Sequence, residues 1–187
     1  MSAVADRLAT TGAERRALAE LREASGEVDG VMERHCARCF LLSERLAAKR
    51  GAELDREVAL SAAFLHDIGL YPSVSDGGVY TQEGAELARR VTLELGWDER
   101  RAQLCADACA HHHSLRDQSQ LGVEVETLRL ADRIEVSGGL FRSGLDRAEL
   151  REVNAAAPRD GFYAGLIRVV WPLLRTRPGT LPKVFRS

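Results

Sequence analysis

The 187-residue sequence has no apolar run of the roughly 18 residues that a membrane-spanning helix needs. Its first residues lack the apolar core of a secretory signal peptide. Alternation of polar and apolar residues, the pattern of half-buried strands, is not sustained anywhere along the chain. These absences exclude a membrane span and a strand-rich fold. We therefore expect a cytoplasmic protein that does not engage a membrane.

An excess of charge of either sign is also absent, because 26 basic residues oppose 28 acidic ones and the formal net charge is −2. The two kinds of charge are interleaved, so the chain has no broad positive field that would attract a nucleic acid polymer. We expect a small-molecule substrate as the partner. The sequence also allows a homodimer.

Cysteine is scarce, with four residues in two pairs, Cys36 with Cys39 and Cys105 with Cys109. Both spacings occur in zinc sites. The pairs lie inside strongly helical sequence, however, without the glycine or proline turn of a zinc knuckle, and a cytosolic chain is a poor setting for disulfides. We expect the thiols to fill tight helix contacts, with a structural zinc site as the alternative.

Helical periodicity is the dominant pattern, and it predicts an all-α fold, a compact bundle of about eight helices. Thr11 followed by Glu14 has the pattern of a capping box at the start of a helix. A loop rich in Pro, Ser, Asp and Gly is expected at residues 70–80. The predicted helices cover residues 14–25, 31–50, 54–67, 81–96, 98–113, 123–141, 146–157 and 160–174. The length suits one domain, residues 1–187.

All five histidines fall between positions 35 and 113. Spacings of three and four residues place His35 on the apolar stripe of its predicted helix and His66 on a face of small residues. Asp67 follows His66 directly, and both side chains can reach one ion only if that ion lies near the end of the helix. His112 continues another stripe of small residues, and either neighbouring histidine could replace it after a small rotation.

Asp132 is a carboxylate in the middle of an apolar stripe, because Leu128, Asp132 and Val136 recur every fourth residue. A buried carboxylate without a partner costs several kcal/mol, so an inward aspartate needs a cation, strong hydrogen-bond donors or a metal. Two interpretations are open. Asp132 forms a buried ion pair with Arg129 or Arg133, or it shares a metal ion with the histidines.

Four inward positions offer two imidazoles and two carboxylates, a set suited to a divalent ion. These predicted ligands are His35, His66, Asp67 and Asp132. They form the pattern H…HD…D in the segments MERHCARCF, AAFLHDIGL and LRLADRIEV, with a histidine run between the last two. The pattern resembles the HD-domain superfamily of metal-dependent phosphohydrolases over roughly residues 31–140.

The resemblance implies that the four predicted ligands hold one divalent transition metal ion, such as Mn, Fe, Co, Ni or Zn. It implies hydrolysis, by a metal-activated water, of a phosphate ester such as a nucleotide. Two-metal members carry a further histidine shortly before a Gly-Ala pair, where this chain has VYTQEGAEL, so the single-metal branch is the better match. Asp67, His112 and His113 are then the candidate catalytic residues, and either histidine would contact substrate or the metal-bound water.

The string LHDIGL also resembles the cyanamide hydratase-like HD proteins, in which water adds to a carbon–nitrogen triple bond. Two alternatives therefore stay open: a hydratase or hydrolase of a small nitrogen compound, and a degenerate HD module that binds a ligand. A phosphate substrate needs convergent arginines, for which Arg34, Arg38 and Arg142 are candidates, whereas a small neutral substrate needs a tight apolar cavity. The helical extension at about residues 143–187 packs over the bundle, or forms a lid or a dimer contact.

Overall fold

The computed structural model describes residues 3–185, apart from the side chains of Pro178, Leu181 and Pro182. Within that range the chain is helical and has no strand, which confirms the predicted fold class. Eight of the described helices have ten or more residues, the number expected. The α-helices are α1 (Val4–Leu8), α2 (Gly12–Ser25), α3 (Val31–Lys49), α4 (Arg56–Leu65), α5 (Tyr80–Glu94), α6 (Glu99–His111), α7 (Val123–Val136), α8 (Arg147–Ala156), α9 (Phe162–Thr176) and α10 (Leu181–Val184).

The capping box predicted at the start of α2 is present. The Thr11 hydroxyl accepts the backbone N–H of Glu14, and the Glu14 carboxylate accepts the backbone N–H of Thr11 at 2.9 Å. Glu14 is fully buried and also pairs with Arg56 of α4. The Glu14 side chain therefore caps the start of α2 and also joins α2 to α4.

The prediction of a helix over residues 123–141 is wrong at its C-terminal end, because α7 ends at Val136. Gly138 and Gly139 both have positive φ, 65° and 80°, and this left-handed backbone turns the chain away from the helix axis. The four-residue α10 and the five-residue α1 were also not predicted. Helices this short carry too few residues for a periodic pattern.

The bundle is built around α3, α4, α6 and α7. Helix α3 packs against α4 and α7, and α6 packs against α4, α5 and α7. The main buried cluster draws on all of these helices and includes the four cysteines, none of which forms a disulfide. No described helix has both the length and the apolar composition needed to cross a bilayer.

The turn after α4 depends on a close backbone approach at Gly69. A 3-10 turn, Ile68–Leu70, follows α4, and a Cβ atom on Gly69 would lie 2.0 Å from the carbonyl oxygen of Tyr80. Tyr80 is the first residue of α5, and this obstacle is backbone, so it cannot rotate away. The absence of a side chain at Gly69 therefore allows the turn that follows His66 and Asp67 to lie directly against α5.

We expect Gly69→Ala to lower the free energy of unfolding by about 2 kcal/mol or more, since the added methyl group overlaps the α5 backbone. Gly12→Ala is the matched control. Gly12 lies in the first turn of α2 and a Cβ there meets nothing within 4 Å. Its substitution should stay within about 0.5 kcal/mol of the unmodified chain in urea unfolding. Equal stability of the two variants would contradict this role of Gly69.

Candidate metal centre

The four predicted ligands lie together in the interior, where α3, α4 and α7 meet. His35 lies in α3, His66 is the C-cap residue directly after α4, Asp67 follows it, and Asp132 lies in α7. Each of them is at most 4% exposed. The helical stripes read from the sequence therefore point these side chains inward.

The polar atoms of this group converge on a small volume. His35 Nε2 lies 3.3 Å from His66 Nε2, 3.6 Å from Asp67 Oδ2 and 3.4 Å from Asp132 Oδ1. His66 Nε2 lies 3.3 Å from Asp67 Oδ2. Side chains that are separated by up to 97 positions in the sequence thus meet around His35 Nε2.

Hydrogen bonds to the other ring nitrogen fix which atom of each histidine faces the centre. His66 Nδ1 donates to the carbonyl oxygen of Ala63 at 2.8 Å, and His35 Nδ1 lies 3.3 Å from the carboxylate of Glu135. A carbonyl oxygen can only accept, so His66 Nδ1 carries a proton. Nε2 of both rings is left to face the centre, the arrangement found in histidines that bind metals.

His112 and His113 lie beside the same centre. His112 Nδ1 donates to the carbonyl oxygen of Cys109 at 2.7 Å, and its Nε2 lies 3.4 Å from Asp67 Oδ1. That Nε2 atom is buried and makes no hydrogen bond. His113 Nδ1 lies 3.0 Å from Asp132 Oδ2, and 22% of its side chain is exposed. His111 points elsewhere, and its partly buried ring joins no group of ligating side chains in the described range.

This arrangement fits a bound cation. The buried Nε2 atom of His112 faces Oδ1 of the Asp67 carboxylate at 3.4 Å and has no hydrogen-bond partner among the described residues. Buried acceptors that face each other repel unless a positive charge lies between them. Imidazole and carboxylate ligands suit a divalent transition metal ion, so the residues present fit the metal that the sequence predicts.

The electrostatics of the residues agree with such a cluster. Burial alone would raise the pKa of Asp67, but His66 and His112 hold the pKa of this carboxyl well below its usual value. Burial likewise opposes ionisation of Asp132, and His113 and His35 outweigh it, so the pKa of Asp132 is also lowered. Burial, together with the charge of His113, lowers the pKa of His112 to about 4. Both carboxylates are therefore ionised, and His112 is neutral, at neutral pH.

The ion pair of Asp132 with an arginine, the alternative considered from the sequence, is not formed. The described residues that pair with Asp132 are histidines. Arg129 instead makes a two-fold contact with Glu126, at 2.8 and 2.7 Å, and Arg133 stacks on the ring of Phe141. Asp132 thus has no compensating arginine and depends on the histidine cluster.

The suggestion that Arg34, Arg38 or Arg142 could stabilise a phosphate is wrong for this geometry. Arg38 is buried and donates to Glu135 and to backbone carbonyls, and Arg34 pairs with Asp29 near the start of α3. Arg142 is exposed. None of the three lines the cavity described below. Helix periodicity does not reveal which arginine side chains point toward the cluster.

Sequence reasoning did not assign Glu135 or Cys39 to the cluster around His35. Glu135 lies one turn after Asp132 on α7 and bridges His35 to Arg38, whose Nε donates at 2.7 Å. Cys39 lies one turn after His35, and its Sγ is 3.7 Å from His35 Nε2, close enough to be a further candidate ligand. The signal for both was a spacing of three or four residues from a predicted ligand.

Phe162 and Tyr80 complete the surroundings. The ring of Phe162, at the start of α9, stacks on His35 with centroids 5.0 Å apart. Tyr80, near the position where two-metal relatives carry a histidine, is buried, and its ring centroid lies 6.1 Å from those of His112 and His113. Phe162 belongs to the C-terminal extension, for which the sequence allowed packing, a lid or a dimer contact, and its ring packs directly on a predicted ligand.

A cavity of about 830 Å³ opens directly beside the cluster. Asp67, His112, His113 and Asp132 form part of its wall, whereas His35 and His66 lie behind them. A molecule in the cavity would therefore meet the carboxylates and the two later histidines first. The cluster combines a candidate metal site with access for a ligand.

Comparison with known proteins identifies a family, and it also finds relatives that the chain matches over only part of their length. Residues 32–137 match the HD domain family. The chain is 38% identical to a ribonuclease Y of Cutibacterium acnes over 137 residues, which are 72% of this chain and 23% of that protein. It is 36% identical to a ribonuclease Y of Chloroflexus aurantiacus over 113 residues, 60% of this chain and 20% of that protein.

The chain thus spans less than a quarter of the length of these curated relatives. The family match covers the four predicted ligands and both later histidines. Neither relative supports the resemblance to cyanamide hydratase-like proteins.

We expect removal of metal to destabilise the protein, because the cluster then loses the charge that separates its acceptors. An ion present at about 100 times its Kd stabilises the native state by about 2.7 kcal/mol, which corresponds to a rise in Tm of roughly 5–10 °C at this chain length. The measurement is thermal unfolding after chelation and after addition of Mn, Fe, Co, Ni or Zn. An unchanged Tm with all of these ions would contradict a metal site.

We expect Glu135→Gln to weaken metal binding by about 10- to 100-fold, since Gln cannot supply the negative charge that orients and polarises His35. Chelator competition measures this. Glu33→Gln is the matched control, because Glu33 is 3% exposed and pairs with Arg22, away from the cluster. Both variants should lose stability, and only Glu135→Gln should lose affinity for the metal. Equal affinities would show that Glu135 serves packing alone.

Proposed function

We propose, from the premise that the chain belongs to the HD domain family, that it is a metal-dependent hydrolase of a small phosphate ester. The family places the chain in a superfamily of metal-dependent phosphohydrolases. The observation that carries the proposal is the buried histidine and aspartate cluster, in which His112 Nε2 has no hydrogen-bond partner, beside an open cavity. A nucleotide is the ester that the sequence suggests.

His35, His66, Asp67 and Asp132 would hold the ion in this proposal. A divalent ion in such a site lowers the pKa of a bound water and polarises the phosphoryl group. Behind these residues, Glu135 and the carbonyl oxygen of Ala63 keep the His35 and His66 rings oriented. The four ligands include two carboxylates, which reduce the charge of the ion, so a general base and acid contribute to the reaction.

The residues that face the cavity supply the proton transfers. Asp67 directs Oδ2 toward His66 and Oδ1 toward His112, so its carboxylate can hold a proton taken from water at Oδ1. His112 is neutral, and its Nε2 can share that proton. His113 is partly exposed to the cavity and oriented by Asp132, a position from which its ring can donate a proton to a leaving oxygen.

Hydrolysis of RNA is the second candidate, and the observation that favours it is the name ribonuclease Y carried by both relatives. A cavity of about 830 Å³ and a net charge of −2 favour the small substrate instead. Hydration of a cyanamide-like compound agrees with an apolar lining, but such a compound would leave most of the cavity unfilled. A degenerate binding module would have lost metal ligands, whereas the four predicted here are all in place. A homodimer and a cytoplasmic location stay predictions.

The test is elemental analysis of the purified chain together with phosphate release from nucleoside monophosphates and other esters, for each reconstituted metal. We expect about one ion per chain, and at least a 100-fold loss of both metal and activity in His66→Ala/Asp67→Ala, because two ligands disappear. Cys105→Ser, a buried change on α6 outside the cluster, should alter neither quantity.

Three results would overturn the proposal. Cleavage of an RNA oligonucleotide, and of no small ester, by the metal-loaded chain would favour the second candidate. Conversion of cyanamide with every ester left intact would favour the hydratase. Absence of bound metal under all loading conditions would favour the degenerate module.

A further inference from the structure

The cavity beside the metal centre is polar on one side and apolar on the other. Helix α7 contributes Arg129, Asp132, Arg133 and Val136 to its lining, and Ser137 directly after α7 also lines it. The opposite wall comes from α9, and each lining residue of that helix is apolar. These residues are Leu166, Ile167, Val170, Trp171, Leu173 and Leu174. A ligand that fills this space therefore has one polar end and one apolar end.

Three of the six side chains in the apolar wall are exposed to water. Ile167 is 63% exposed, Trp171 54% and Leu174 37%. Exposed apolar side chains grouped on one concave surface mark a ligand or partner site, because covering them releases unfavourable hydration. The same cavity includes His113 and Asp132 in its wall. An occupant that covers the α9 wall is thus in reach of the reacting groups, which favours the substrate over a protein partner.

The supply of positive charge in the cavity is small. Two arginines are among its described lining residues, Arg129 and Arg133. Two nitrogens of the Arg129 guanidinium, Nε and Nη2, donate to the Glu126 carboxylate at 2.8 and 2.7 Å. The third nitrogen, Nη1, donates to the carbonyl oxygen of Ser114. Arg133 is exposed and stacks on Phe141, with 4.3 Å from its guanidinium carbon to the ring centroid. A di- or triphosphate needs several convergent cations, so this lining suits a single phosphoryl group.

We propose that the substrate is a phosphate monoester of a bulky apolar alcohol or phenol. The phosphoryl group lies at the metal centre, and the alkyl or aryl group covers the α9 wall. This inference rests on the proposed hydrolase function and names its substrate class. Hydrolysis consumes one water, breaks the bond between phosphorus and the ester oxygen, gives that oxygen a proton, and releases the alcohol and inorganic phosphate.

The test compares esters of one phosphoryl group that differ in the alcohol. Octyl phosphate and 1-naphthyl phosphate carry apolar groups, whereas glycerol 3-phosphate and adenosine monophosphate carry polar ones. Phosphate release by the metal-loaded chain should give a kcat/KM at least 10-fold higher for the apolar esters, because each buried CH₂ group adds binding energy. Calorimetry should show octylphosphonate, which is not hydrolysed, binding at least 10-fold more tightly than methylphosphonate.

Leu174→Gln tests the wall itself, and Leu95→Gln is its matched control. The two leucines are 37% and 39% exposed, and Leu95 ends α5 outside the cavity. Leu174→Gln should lower kcat/KM for octyl phosphate at least 5-fold and change that for glycerol 3-phosphate less than 2-fold, since the polar amide removes apolar contact. Leu95→Gln should change neither value.

The outcomes separate the two proposals. If no ester is hydrolysed with any metal, the proposed hydrolase function is wrong, and the proposed substrate class is wrong as well. If all esters are hydrolysed at similar kcat/KM, or the polar ones faster, the hydrolase function stands and the substrate class is wrong. If Leu174→Gln lowers the turnover of all esters equally and converts a dimer to a monomer in sedimentation, the α9 wall binds a second copy of the chain, and the substrate class is again wrong.

Discussion

The convergence of buried ionisable side chains at the candidate metal centre is the constraint on which the rest of the structure depends. His35, His66, Asp67 and Asp132 are almost completely removed from water, and His66 Nε2, Asp67 Oδ2 and Asp132 Oδ1 lie 3.3–3.6 Å from His35 Nε2. Burial by itself would disfavour two carboxylates in this position. Positive charge, on protonated imidazoles or on a bound cation, is therefore required among them. The helices hold these side chains close enough for that charge to be shared.

Two histidines of the cluster are oriented in the same way, each at the C-terminal end of a helix. His66 is the C-cap residue of α4 and His112 is that of α6, and each ring donates its Nδ1 proton to the carbonyl oxygen three residues earlier. Carbonyl groups in the last turn of a helix lack hydrogen-bond donors within the helix, so the histidine ring supplies a donor to one of these carbonyl groups. The negative ends of both helix dipoles also lie toward the centre, which favours a bound cation. Ending a helix at a histidine thus orients the ligand and improves the site.

Much of the fold and the identity of the clustered side chains could be predicted from the sequence. Helical spacing was sufficient to place His35 and Asp132 inward, because a buried polar residue on an apolar stripe has few alternatives. Spacing was not sufficient for Arg38, which shares the α3 helix with His35 but is held by Glu135 and by carbonyl groups about 120 positions away. Contacts between distant segments decide where a long side chain points. The helix end at Val136 was missed because it depends on the positive φ of two glycines, which periodicity does not reveal.

The C-terminal segment links the metal centre to the cavity. Arg38 donates to the carbonyl oxygens of Ala157 and Pro158, just before α9, and Arg159 donates to the carbonyl oxygen of Glu135. Phe162 then stacks on His35 and begins the helix whose later residues form the apolar wall. The side chains that support His35 therefore also fix the start of α9. Because α9 is one continuous helix, its apolar residues are positioned relative to the predicted metal ligands by these buried contacts, so a change at Glu135 is expected to disturb both the candidate metal centre and the apolar wall of the cavity.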